Sequence, residues 1–252
     1  LLSELPPDGE AVFVGKRCGR ASLNQAEIIA LMLDHARRGR RVVRLKGGDP
    51  GVFGRLSEEV AALEGYGIPA QVVPGVSSLQ VASTGTGLLL TQRGVSRGFC
   101  AITPMLEGGR KGPVDAEARA RLPVALFMVM HSLADVKRDL LSDGWLEDTP
   151  AAAVFSAGTA YERIVSGTLA DIVERVADYK DGTRSDSAAP QNPGDIASSD
   201  PGLLLVGAAA ASVYPDLGPL GGVRVLLTCS DALLDRSSRA VSDMGGRPLR
   251  FP

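Results

Sequence analysis

The sequence predicts an α/β fold, a parallel or mixed sheet covered by helices on both faces. Three observations point there. Short apolar runs recur and end on glycine, proline or serine. Segments with apolar residues at helical spacing lie between them, so strands alternate with helices. Glycine makes up 30 of 252 residues, about 12 % against a usual ~7 %, which supplies the turns such a fold needs.

The elements follow in order. Residues 11–14 read as a first strand that stops at Gly15. Ser22 with Gln25 fits a capping box, and Ile29, Met32, Leu33 and Ala36 share one face of the helix behind it. Gly39 ends that helix after Arg37 and Arg38. Residues 41–45 form a short buried strand that runs into Lys46-Gly47-Gly48-Asp49-Pro50-Gly51-Val52-Phe53-Gly54. A helix over about residues 57–65 leads to a strand at 70–73 and the turn Pro74-Gly75. Residues 78–84 are helical. Strands follow at 99–103 and 124–128, then an amphipathic helix at 132–143 closed by Gly144. Residues 152–155 and 163–165 are strands, Thr168 with Asp171 caps a helix to about Tyr179, and 203–206 is a last buried strand.

Two stretches break this rhythm. Residues 181–200 hold Ser, Asp, Pro, Gly and Ala with no aromatic and read as a mobile surface loop. Residues 208–221 are a linker rich in glycine and proline. The pattern then restarts: a strand at 223–228, a helix at 231–244, Gly245-Gly246 and a strand near 248–251. So short a tail cannot bury a core alone, so residues 222–252 read as the cut-short start of a second α/β domain behind a first domain at 1–207.

Composition excludes several functions. A net charge of −2 and 4 % aromatics supply neither the basic field nor the stacking platforms that nucleic acid needs. The longest apolar run, 203–213, is interrupted by Gly207 and falls well short of a membrane span. Three scattered cysteines without a CxxC pair argue against disulfides and zinc ribbons, and for a reducing, cytoplasmic compartment. With only two histidines, His35 and His131, no His-rich metal site is expected, and no nucleophilic triad has a sequence warrant. The chain shows no signal-peptide pattern, and its first residue is Leu, which reads as a processed start or a fragment.

The chemistry-bearing segments sit at strand ends, where open α/β sheets bind ligands. Gly47 and Gly48 remove Cβ atoms, so backbone groups can touch a ligand, and Asp49 adds an acceptor; the alternative is a plain strand-to-helix turn. Neither a GxGxxG nor a Walker A pattern is present. Ser77 and Ser78 either cap the next helix or hold a polar ligand. Gly158 lies in a third small-residue turn, and Met128 is read as core. Lys16, with Arg17 and Arg20, is either a surface basic cluster or a cleft cation that moves a proton or pairs with an anion. Arg93 and Arg97 offer the same choice and would suit a carboxylate-rich ligand.

The ordered set of segments resembles the uroporphyrinogen-III C-methyltransferase family of tetrapyrrole methylases. The carriers are Val14-Gly15-Lys16-Arg17-Cys18-Gly19-Arg20, residues 41–50 with Val52-Phe53-Gly54-Arg55, Val73-Pro74-Gly75-Val76-Ser77-Ser78, Leu90-Thr91-Gln92-Arg93-Gly94-Val95-Ser96, and Gly167-Thr168-Leu169-Ala170-Asp171-Ile172. The likeness spans about residues 5–207. The tail, from Gly222-Val223-Arg224-Val225 to Gly245-Gly246, more weakly resembles the opening of a uroporphyrinogen-III synthase, and the two activities occur as fusions.

The resemblance implies a two-lobed methylase fold with mixed sheets, usually a homodimer. It also implies methyl transfer from S-adenosylmethionine to two pyrrole carbons of uroporphyrinogen III, giving precorrin-2 toward sirohaem and cobalamin, with S-adenosylhomocysteine released. Carried over by position, the cofactor residues are Gly47, Gly48, Asp49 and Val52, then Ser77, Ser78, Met128 and Gly158. Lys16 falls on the proposed proton donor, and Arg17, Arg20, Arg93 and Arg97 are candidates for the substrate carboxylates. No metal and no nucleic-acid or membrane partner is implied. A later corrin-intermediate methylase and a non-catalytic cofactor-binding fragment are the alternatives.

The chain departs from the family pattern at Gly51, Leu56, Gln92 and Val129. The family's opening strand, its Gly-Pro-Gly-Asp turn and a following Asp are not among the 252 residues. This predicts an exposed sheet edge or a hole in the cleft, and slow catalysis by these residues alone.

Overall fold

The computed structural model describes residues 5–6, 8–15, 23–104, 122–159, 162–182, 202–211, 220 and 223–250. By its contacts the chain divides into two units, Leu1–Ser77 and Ser78–Pro252.

The first unit is built on helices α1 (Gln25–Arg37) and α2 (Leu56–Gly65). Helix α1 starts with a capping box on Asn24 and Glu27, two residues later than expected. Glu27 N–H donates to Asn24 Oδ1 at 3.0 Å, and Asn24 N–H donates to Glu27 Oε2 at 2.6 Å. Two N–H groups without helical partners are thereby satisfied. Gln25, expected in the box, instead sends its side-chain amide to Glu59 of α2 at 3.1 Å. Gly39, with φ +76°, ends the helix by donating to Ala36 O at 3.0 Å.

The segments 11–14, 41–45 and 70–73 were expected as strands. Among the described residues of this unit no strand ladder forms, and the apolar side chains of these segments stand in solvent, Val43 at 70 % and Val73 at 73 % exposure. The buried strand expected at 41–45 is therefore corrected. Its Val and Leu residues favour a pleated, packed surface, but a strand exists only where a second backbone completes its hydrogen bonds.

The second unit carries a five-stranded mixed sheet: β1 (Cys100–Ile102), β2 (Val124–Phe127), β3 (Pro150–Phe155), β4 (Arg163–Thr168) and β5 (Gly202–Val206), in the order β1-β2-β5-β3-β4. Strands β1 and β2 are parallel; every other pairing is antiparallel. Alternation decides the two faces. Leu126, Ala153, Phe155, Leu204 and Val206 face helices α4 (Leu133–Ser142) and α5 (Ile172–Gly182), which bury Leu133, Val136, Leu140, Ile172 and Val176. Ala125, Ala152, Val154, Leu203 and Leu205 face the other way, packing with Leu79 and Ala82 of helix α3 (Ser78–Thr84) and with Ala209 and Ala210 of a 3₁₀ turn at Ala208–Ala211. Both faces are dry, which explains near-continuous apolar runs such as 203–206. Each fully buried leucine adds about 1.5–3 kcal/mol over an exposed one.

Thr168 and Asp171 pair ahead of helix α5 as expected: Thr168 N–H donates to Asp171 Oδ1 at 2.7 Å. That bond and the neighbouring Arg175 hold the Asp171 carboxyl below its ordinary value of 3.8. Helix α4 ends at Gly144, φ +89°, as the sequence required.

Strands β6 (Arg224–Leu227) and β7 (Arg247–Arg250) flank helix α6 (Asp231–Asp243) and pair in parallel as a separate two-stranded sheet. Leu227 and Val241 are its buried apolar residues among those described. No described helix is long and apolar enough to cross a membrane.

Candidate functional site

In the first unit the candidate residues gather at one turn. Lys46 precedes Gly47 and Gly48, and Gly48 has φ +72°, a conformation glycine adopts without penalty. Asp49 then staples two loops. Its Oδ1 accepts from Gly51 N–H at 2.8 Å and its Oδ2 from Gly75 N–H at 3.0 Å. The approach is so close that a Cβ on Gly75 would lie 2.3 Å from Gly48 O. Gly54 is equally constrained, its Cβ position being 2.4 Å from Pro50 O.

Gly47 differs from these. Its φ is not left-handed, and among the described residues nothing lies within 4 Å of where its Cβ would stand. Packing does not require glycine there. The bare backbone faces open space, which fits a ligand that must come close to the main chain. Val52 is partly exposed, and its N–H donates to Asp49 O at 3.2 Å. Phe53 and Arg55, both non-glycine, carry φ of +55° and +56° in the same loop, a concentration of backbone strain typical of functional turns. Ser77, at the end of this unit, is buried.

A charged hub that the sequence reading missed lies behind this turn. Glu59 is 2 % exposed. Its Oε2 accepts from Lys46 Nζ at 2.7 Å, while Arg44 Nε stands 3.4 Å from its Oε1. Burial alone would raise the Glu59 carboxyl, but hydrogen bonds from Lys46 and Gln25 and the charges of Lys46 and Arg44 together hold it below 4.5. The signal was present as two cations, Arg44 and Lys46, at alternate positions of an otherwise apolar segment.

In the second unit, Met128 and Gly158 leave the sheet at the same edge. Phe127, the last residue of β2, pairs with Leu203, and Phe155, the last of β3, pairs with Gly202. The two turns therefore flank the start of β5. Met128 was expected in the core; instead its φ of +59° turns the chain after Phe127, leaving it 52 % exposed and burying Val129 in its place. Gly158 has φ +76°, and a Cβ there would meet Val81 Cγ1 of α3 at 2.5 Å. The turn is closed by buried Glu162, whose Oε2 accepts from Gly158 N–H at 2.8 Å. Ser78 is exposed and opens α3, one helical turn before Val81.

Arg93 and Arg97 are exposed on and beside a tight turn in which Gln92 and Ser96 exchange backbone hydrogen bonds and Gly94 has φ +82°. Lys16, Arg17 and Arg20 lie outside the described residues.

Residues 1–173 match the family model of Tetrapyrrole (Corrin/Porphyrin) Methylases. A uroporphyrinogen-III C-methyltransferase of Methanocaldococcus jannaschii is 32 % identical over 209 residues, 82 % of this chain and 79 % of that protein. A siroheme synthase of Psychrobacter sp. (strain PRwf-1) is 40 % identical over 169 residues, 67 % of this chain but only 35 % of that protein. The chain thus spans about a third of that synthase and most of the methyltransferase. The crystal structure of uroporphyrin-III C-methyl transferase from Thermus thermophilus with S-adenyl homocysteine superposes with a TM-score of 0.61 and 35 % identity, covering 81 % of this chain and 79 % of that one. With the family model covering 173 consecutive residues and the two-faced mixed sheet shared with a solved member, the chain belongs to the tetrapyrrole methylases.

Proposed function

We propose that this chain is the methyltransferase that converts uroporphyrinogen III to precorrin-2 with S-adenosylmethionine as donor. The observation that carries this reading is Gly47, a glycine that neither backbone conformation nor packing demands, in a turn fixed by Asp49. Gly47, Gly48, Asp49 and Val52 hold the donor, and Ser77, Ser78, Met128 and Gly158 make its further contacts.

The donor, when bound, supplies a methyl group on a sulfonium centre, which needs positioning and exclusion of water more than activation. The chain's own residues do that work. Bare backbone at residues 47–48 lets main-chain groups reach the donor. Arg93 and Arg97, with Arg17 and Arg20, pair with substrate carboxylates. Lys16 moves the proton that the substrate must exchange. The protein acts as a homodimer in the cytoplasm, and residues 222–252 belong to a synthase-like domain; their separate β6-α6-β7 sheet supports that assignment, whereas Ala209 and Ala210, expected in the linker 208–221, pack on the five-stranded sheet.

The experiment is transfer of labelled methyl to uroporphyrinogen III by the chain under excess S-adenosylmethionine, two donors being consumed and two S-adenosylhomocysteines released per product. A doubly methylated product is expected. Methylation of a later corrin intermediate without turnover of uroporphyrinogen III would replace the substrate. That second reading is favoured by a likeness to cobalt precorrin-4 methyltransferase at 27 % identity and a TM-score of 0.57.

A further inference from the structure

We propose that Glu59 is a positioning residue that sets the Gly47–Gly48 turn through Lys46. The inference rests on reading that turn as part of the donor site. Arg44 and Lys46, two residues apart, both end on the Glu59 carboxylate of α2. Lys46 is itself only 11 % exposed at its side chain, and no residue separates it from Gly47. Its stem crosses the foot of the loop, with Lys46 Cε 3.2 Å from where a Gly54 Cβ would stand. The turn is thus held at both ends: Lys46 on Glu59 before it, Asp49 on Gly75 after it.

Removal of the carboxylate changes the balance. The Lys46 ammonium loses its anion in a nearly dry position, where an unpaired charge is unfavourable. The side chain then swings toward water and takes the main chain beside Gly47 with it. Gln25 has no such effect, because it is neutral and lies on α1, away from the turn in sequence.

The test compares the full chain with Glu59→Gln, Lys46→Met and the double variant, by amide hydrogen exchange and by S-adenosylhomocysteine titration. Glu59→Gln is expected to speed exchange of residues 46–52 about tenfold and to weaken S-adenosylhomocysteine about tenfold, while exchange in β3 and β5 is unchanged. Lys46→Met has no ammonium to swing out, but its side chain cannot bond Glu59, so it too loses the tether ahead of Gly47 and speeds exchange at 46–52; the double variant is no worse than either single one, because both changes remove one contact. In turnover, KM for S-adenosylmethionine rises with kcat unchanged, a split that general loss of folded protein does not produce. Unchanged exchange at 46–52 in a folded Glu59→Gln protein overturns the proposal, as do additive effects in the double variant. If Glu59→Gln does not fold, Lys46→Met decides by the same exchange readout. Altered exchange in a chain that never binds S-adenosylhomocysteine upholds the positioning role and overturns the donor-site reading.

Discussion

Glu59 shows how a single residue makes stability depend on pH. Its carboxyl is held below its ordinary value of 4.5 in the folded chain. A depressed folded value means that the stabilisation is fully present above the ordinary value and is lost as pH falls through the folded one. Asp171 and Glu58 are also depressed, the latter by its bond from Arg55, so all three shifts act in the same direction. The urea midpoint is expected to fall as pH drops from about 5 to about 3, and Glu59→Gln to show a shallower fall over that range. An unchanged slope in the variant would remove Glu59 from the account. At this scale glycine was legible in the sequence, but its reasons were not. Gly75 and Gly54 are demanded by backbone contacts closer than 2.5 Å, Gly158 by its φ and by Val81, and Gly47 by nothing among the described residues. Only coordinates separate these cases. Met128 was misread for a related reason, since no sequence signal marks a methionine with left-handed backbone at a strand end.

Among elements, helices and the strands of the second unit were readable because they carry their own evidence. Helix α3 falls on the expected residues, and the boundaries of α2, α4, α6 and β2–β5 shift by a few positions at most. Periodicity and Gly stops such as Gly144 suffice for them. The segments 11–14, 41–45 and 70–73 have equally good strand composition but form no ladder among the described residues. A strand's pairing is a non-local property, and composition describes only one side of it. The same limit explains the capping box. Both Ser22-Gln25 and Asn24-Glu27 fit the pattern, but Gln25 is drawn to Glu59 and the carboxylate of Glu27 completes the box. Asn24→Ala is expected to destabilise the first unit by about 1 kcal/mol, read as a lower denaturant midpoint with unchanged slope. A variant as stable as the parent would mean the box adds nothing.

For the whole molecule, the fold class was legible because two dry sheet faces leave an unmistakable record: apolar runs without polar alternation, separated by amphipathic helices. The candidate site was legible only in part. Resemblance named candidate residues, and the structure supplies local structural reasons for Gly48, Asp49, Gly75 and Gly158 while adding Glu59 and Glu162, buried acids that hold the turns from behind. The central claim is that a bare turn at residues 47–48 receives an S-adenosyl ligand. Its most direct test is calorimetric titration of S-adenosylhomocysteine into the full chain and into Gly47→Ala, which adds one methyl group where the chain leaves open space. Saturable binding by the parent, weakened about tenfold or more in a variant whose ligand-free unfolding temperature is unchanged, is the predicted result. Equal affinity in the two proteins, or no saturable binding by the parent, would contradict it.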